Sequence, residues 1–190
     1  LHRHAQRELD LPPPPKMKEI LRTERLTLRE MCEDDLGALT AILGDAETMY
    51  AYEHAFCAAE IRAWLDNQYR RYREDGFGLW AVVLKATGSV IGQCGLTVQN
   101  CGGKEVIEVG YLFERAFWHN GYATEAARAC RDLAFDKFGA DEVFAIVRDS
   151  NFASQAVARR CGMTARGTIV KHYYGMDMPH IVFSIKREER

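Results

Sequence analysis

Three features of the 190-residue chain predict an α/β (α+β) fold, with a mixed, mostly antiparallel sheet of six or seven strands flanked by helices. Short strand patterns succeed one another as meanders in the first 113 residues. Strand and helix patterns then alternate as βαβ units, which bring parallel pairing and place helices on the sheet faces. The hydrophobic fraction, 47%, fills one core at this length and is too small for two.

Charge and cysteine usage narrow the function classes. Net charge is −2, pI is about 6.3 and there is no long basic stripe, which argues against nucleic acid as the main partner. No apolar run reaches the roughly 20 residues of a membrane span. The six cysteines are scattered without a CxxC pair and read as reduced packing residues of a cytoplasmic protein. Residues 1–16, LHRHAQRELDLPPPPK, carry four consecutive prolines and differ in composition from the remainder of the chain. They read as a Pro-rich leader or a remnant of an expression vector, and 17–190 as a single domain. A secretory signal is not expected, because there is no apolar h-region.

Taken in order, Leu26, Leu28 and Arg29 alternate within a first strand spanning 21–30. Asp34-Asp35 is placed to cap a short helix with apolar positions Leu36, Leu39, Ile42 and Leu43. Asp45 caps a further turn through Met49, and MYAYEHAF (49–56) is aromatic and irregular. From 58 to 74, Ile61, Trp64, Leu65, Tyr69 and Tyr72 share one helical face, and Asp75-Gly76 ends that helix. Next is a hairpin, 79–84 and 90–98 around Thr87-Gly88, then a turn at 100–103 and a strand over 106–113. The spacing of Ala123, Ala126, Ala127, Cys130, Leu133 and Ala134 predicts a helix over 122–138. A buried strand at 143–147, a helix at 151–161 closed by Gly162, and strands at 163–174 and 181–186 around Gly175 complete the chain.

The chemistry concentrates in 108–127, EVGYLFERAFWHNGYATEAA, where a strand feeds a glycine turn and a helix N-terminus. The first N–H groups of a helix lack internal partners and sit at the positive end of its dipole, which makes an anion site. Gly121 and the small Ala123 permit close approach of a ligand, although Gly121 taken alone reads first as an ordinary turn before a helix. Glu108 is a carboxylate in a strand of otherwise buried-type residues, which calls for a reason. A solvent-facing position is one. A general base is the other, since a carboxylate raised to about 6–7 in an apolar cleft takes the proton of an attacking amine. Glu105 is the weaker candidate. Asn151 stands where a helix N-cap is expected. The histidines show no metal-ligand spacing, and no metal is expected.

From residue 106 onward the chain resembles the GNAT N-acetyltransferases, in particular the branch acting on ribosomal proteins and amino acids. The likeness rests on EVGYLF (108–113), WHNGYATEA (118–126) and NFAS…GM (151–163), and extends more weakly over 20–186. The family's acyl-CoA signature, [Q/R]-x-x-G-x-[G/A], is met at Gly121 and Ala123, while Trp118 occupies the first position. The resemblance implies acetyl-CoA as co-substrate and a sheet whose fourth and fifth strands splay. The pantetheine arm would lie in the gap against Val109, Tyr111, Leu112 and Phe113, with Asn151 touching it. The pyrophosphate would sit on the N–H groups of His119, Asn120, Gly121, Tyr122, Ala123 and Thr124. Glu108 would be the base, and Ser154 would donate a hydrogen bond to the departing thiolate. Members of this family often pair as homodimers.

The activity implied is acetyl transfer to a primary amine, either a small molecule or a protein N-terminus, by direct attack in a ternary complex. Tyr50, Tyr52, His54, Trp80, Tyr173 and Tyr174 are the aromatic and polar candidates for the acceptor pocket, and each also reads as packing. Arg159 and Arg160 either reach the cofactor's phosphates or complement a helix C-terminus. Two rival readings use the same scaffold: a non-catalytic acyl-CoA sensor, and an acyl-CoA hydrolase or O-acyltransferase.

Overall fold

The computed structural model describes residues 17–190, so the expected leader (1–16) lies outside the described residues. Eight strands form one sheet: β1 (Glu19–Arg22), β2 (Leu26–Arg29), β3 (Leu79–Leu84), β4 (Val90–Cys101), β5 (Lys104–Phe113), β6 (Glu142–Arg148), β7 (Thr164–Tyr173) and β8 (Met176–Lys186). Their spatial order is β1-β2-β3-β4-β5-β6-β8-β7. Every neighbouring pair is antiparallel except β5–β6. Four helices, α1 (Leu36–Leu43), α2 (Ala58–Glu74), α3 (Tyr122–Asp136) and α4 (Phe152–Arg160), cover the two faces. None is long and apolar enough to cross a membrane.

The mixed sheet is the one the sequence predicts, with one strand more. The stretch expected as a single first strand folds back at Thr23, whose N–H donates to the carbonyl of Leu26 at 2.9 Å, and yields the β1–β2 hairpin. The reason is distant in sequence. Glu125 on α3 accepts from the Thr23 hydroxyl (2.6 Å), the Arg25 N–H (3.0 Å) and Arg25 Nε (2.7 Å), fixing the turn from outside.

The core lies on both faces. On one, Ala126, Ala127, Cys130 and Ala134 of α3 pack without exposure against Leu26, Leu28, Val82 and Val109. Their small side chains let the helix approach β4 and β5 closely. On the other, Leu39, Ile42 and Leu43 of α1 and Ile61 and Leu65 of α2 pack on Leu79 and Ala81. Helix α2 matches its expected bounds. Asp35 does not cap α1 as expected: its carboxylate turns back to the Cys32 N–H (2.9 Å) and to Arg29. Asp45 does close its turn, accepting from the N–H and hydroxyl of Thr48.

Candidate active site

The site is made by an interruption in the sheet. β5 pairs with β4 over its whole length, from Lys104↔Cys101 to Phe113↔Gly92. Its parallel partner β6 meets it at one register position, Glu108↔Phe144, and pairs throughout with β8 instead. β5 and β6 therefore diverge beyond Glu108. The Glu114 N–H donates to the Ile91 carbonyl of β4, so even-numbered residues of β5 aim their backbone at β4. Val109, Tyr111 and Phe113 aim theirs into the gap.

A cleft of 520 Å³ opens on the α3–α4 side of this gap, and a second of 390 Å³ opens on the α2 side. Tyr111, Leu112, Asn151 and Ser154 line both, so the two clefts meet at the gap. The Tyr111 hydroxyl bridges it, donating to the Ser154 carbonyl at 2.6 Å. Asn151 caps α4 by accepting from the Ser154 N–H (3.2 Å), and the Tyr50 hydroxyl donates to the same Asn151 oxygen (2.9 Å).

At the far end of the larger cleft lies the turn into α3. His119 (φ 64°) and Gly121 (φ 78°) are both left-handed. The nearest atom to a Cβ on Gly121 would be Arg25 Nη2, at 3.5 Å, so the backbone conformation and not crowding selects glycine here. The first backbone bond of α3 runs from the Glu125 N–H to the Gly121 carbonyl. The N–H groups of Tyr122, Ala123 and Thr124 therefore precede any helical acceptor, and no side chain caps them. Arg25 braces the loop from outside: Nη1 donates to the Asn120 carbonyl (2.9 Å), and the guanidinium lies 4.4 Å from the Tyr122 ring centre.

A strand gap joined to an uncapped helix N-terminus fits a long, phosphorylated acyl carrier, and the family comparison agrees. The sequence profile of the GNAT acetyltransferase domain matches residues 25–164. The chain belongs to the GNAT acetyltransferase family. Membership makes it an acetyl-CoA-dependent N-acetyltransferase, the activity expected from the sequence. Among its relatives, the YkkB protein of Bacillus subtilis strain 168 is 37% identical over 155 residues, 81% of this chain and 90% of its own length. The FsC-acetyl coenzyme A-N(2)-transacetylase of Aspergillus fumigatus is 30% identical over 92% of this chain and 79% of its own. A solved structure of RimL, a ribosomal L7/L12 alpha-N-protein acetyltransferase in complex with coenzyme A, shares the fold. Its TM-score is 0.74 at 16% identity, over 91% of this chain and 100% of that one.

Within this GNAT frame the expected residues separate. Tyr111, Leu112, Phe113, His119, Gly121, Tyr122, Ala123, Thr124, Asn151 and Ser154 line the larger cleft. Val109 and Asn120 do not line it. Val109 lines the smaller cleft instead, and its side chain packs in the core. The Asn120 amide is occupied by the carbonyls of Phe117 and Trp118, so its side chain braces the turn. Leu112 contributes its side chain, because its backbone is turned to β4. Trp118, which departs from the family signature, donates its indole N–H to the Phe113 carbonyl (2.9 Å) and holds the end of β5.

Glu108 lines the smaller cleft, and its carboxylate accepts the Ile146 N–H at 2.6 Å. The side chain thus satisfies a β6 donor freed by the divergence. Burial pushes its pKa up to about 7, against the opposing pull of Lys171, the Ile146 N–H and Arg71. Glu105 is exposed and lines neither cleft. The Ser154 hydroxyl has no hydrogen-bond partner among the described residues.

The acceptor candidates also divide. Tyr52, Tyr173 and Tyr174 line the cleft that holds Glu108, and Tyr50 lines the larger one. Desolvation of the Tyr52 hydroxyl pushes its pKa up to about 12, although part of the ring is exposed. His54 bonds Glu60 (2.8 Å) and lines neither. Trp80, 1% exposed, is core and no part of the site. Arg160 lines the larger cleft, whereas Arg159 stacks 5.2 Å from the Phe183 ring centre. Sequence reasoning missed Arg25, Arg71 and Lys171, each of which acquires its role from elements remote in the chain. No group of His, Cys, Asp or Glu among the described residues is placed to hold a metal.

Proposed function

We propose that this acetyltransferase acts on a primary amine by direct attack on acetyl-CoA, with the acceptor in the α2-side cleft and the donor in the α3–α4 cleft. The observation that carries this reading is the meeting of two clefts at one strand gap, with a carboxylate of pKa about 7 on one side and an uncapped helix N-terminus on the other. The backbone of Val109 and Tyr111 pairs with the pantetheine arm. The N–H groups at the start of α3 receive the pyrophosphate.

Glu108 is the base. An amine attacks as the free base, and reaching it from a lysine-like pKa of about 10.4 costs roughly 4–5 kcal/mol at pH 7. From an α-amino pKa of about 7.7–8.0 the cost is about 1 kcal/mol, which makes α-amines the better matched acceptors. After Glu108 takes the ammonium proton, the amine nitrogen bonds to the thioester carbonyl carbon and the C–S bond breaks. The nitrogen sheds one further proton and the sulfur gains one, giving an N-acetyl amide and the free thiol. The Ser154 hydroxyl donates a hydrogen bond to the departing sulfur. The Aspergillus relative is named for transacetylation at N(2), which supports nitrogen as the nucleophile.

The test combines acetyl-CoA calorimetry with a screen of amines for CoA release. Binding together with amine-dependent release is the expected result. Binding without transfer to any amine would identify a sensor, and release without an amine would identify a hydrolase; either outcome overturns the proposal.

A further inference from the structure

The acceptor cleft carries more positive charge than its own residues neutralise. Arg71, on the last turn of α2, and Lys171, on β7, both line it beside Glu108. Neither has a carboxylate within ion-pair distance among the described residues. Arg148 also lines the cleft, but it is already paired with Glu53. The Arg71 guanidinium is partly buried and held by Gln68 Oε1, which accepts from its Nη1 at 3.2 Å and from the Leu79 N–H at 3.0 Å. Burial pushes the pKa of Arg71 down, so keeping an unpaired cation there costs stability. Glu108 supplies at most one negative charge against the two cations, and near neutral pH it is partly protonated.

An amine arrives protonated, and a simple diamine or polyamine would bring its charge towards Arg71 and Lys171. A zwitterion would not, because its anion can meet the two cations while its ammonium meets Glu108. Building on the N-acetyltransferase reading above, we infer that the acceptor is a primary amine bearing an anionic group, carboxylate or phosphate, which Arg71 and Lys171 receive. The acid also fixes the amine's position. Its charge screens the two cations from Glu108, which strengthens the base when the acceptor is seated.

The experiment uses matched acceptors: amino acids against their amides, and O-phosphoethanolamine against ethanolamine. Binding to the CoA-loaded protein is read by calorimetry, and transfer by CoA release from acetyl-CoA. At least one anionic member is expected to bind and react about tenfold or more better than its neutral partner. The pair showing the effect distinguishes carboxylate from phosphate. Amides have the less basic α-amine, so intrinsic availability of free base works against the expected order. Arg71→Met and Lys171→Met should each raise KM for the anionic acceptor and bring the ratio towards one. CoA calorimetry on the variants reads folding independently of the acceptor cleft. Neutral partners that bind and react as well as the anionic ones overturn the inference and leave the transferase reading standing, as does an unchanged ratio in both folded variants. Anionic acceptors that bind selectively but are never acetylated overturn the transferase reading and leave the anion site standing.

Discussion

Glu108 combines two roles that pull in different directions. Its carboxylate fills the hydrogen-bonding vacancy at Ile146 where β6 leaves β5, and its burial raises its pKa to about 7. Folding therefore takes up a proton between the ordinary carboxylate value of 4.5 and about 7. The stability contribution of Glu108 is greatest at low pH and is lost as pH rises through that window, by up to about 3 kcal/mol. Glu108→Gln keeps an acceptor for the Ile146 N–H but cannot ionise. The variant should melt higher than the wild type at pH 8, and this difference should vanish by about pH 4, as calorimetric melting would read. Its kcat/KM should fall by about 10²–10⁴, and the loss of wild-type activity below about pH 7 should disappear from the residual rate. An unchanged rate and pH profile would remove Glu108 as the base. Ser154→Ala should be milder, about tenfold or less in kcat, because a thiol leaving group of pKa about 8.5 needs little acid help.

At the scale of elements, the start of α3 is set by its own backbone and by what grips it from outside. Gly121 at φ 78° lets the chain enter the helix with three N–H groups free. Alanine in that conformation costs about 1–2 kcal/mol. Gly121→Ala should therefore lower stability by about that amount and weaken acetyl-CoA binding, both measurable on one sample by melting and calorimetry. An unaltered affinity would argue against pyrophosphate at this turn. The end of β5 is likewise held by a neighbour, since the Trp118 indole takes the Phe113 carbonyl. The first position of the family signature thus serves here to close the strand.

For the whole molecule, the sheet is built on close approach of neighbouring strands. Gly95 of β4 pairs with Leu79 at the start of β3, and a Cβ on Gly95 would stand 2.0 Å from the Gly78 carbonyl oxygen. Gly95→Ala should cost about 1–3 kcal/mol or more, read as a lower midpoint in denaturant, because backbone cannot move aside as a side chain can. Much of this architecture was legible in the chain. Helix α2 was expressed in the spacing of Ile61, Trp64, Leu65, Tyr69 and Tyr72, the α3 entry in Gly121 and the small residues behind it, and the α4 cap in Asn151. Each is a local preference, decided by residues within a turn or two of one another. Glu108 stood out as a charge in an apolar strand, but its bond to Ile146 and its proximity to Arg71 and Lys171 did not. The split of the first strand likewise needed Thr23 and Arg25 to meet Glu125, about 100 residues away. Local patterns determined most of the elements, the uncapped N-terminus of α3 and the candidate base. Tertiary structure alone decided the single β5–β6 contact, the joining of the two clefts and the charge of the α2-side cleft, because those depend on which distant side chains the closed sheet brings together.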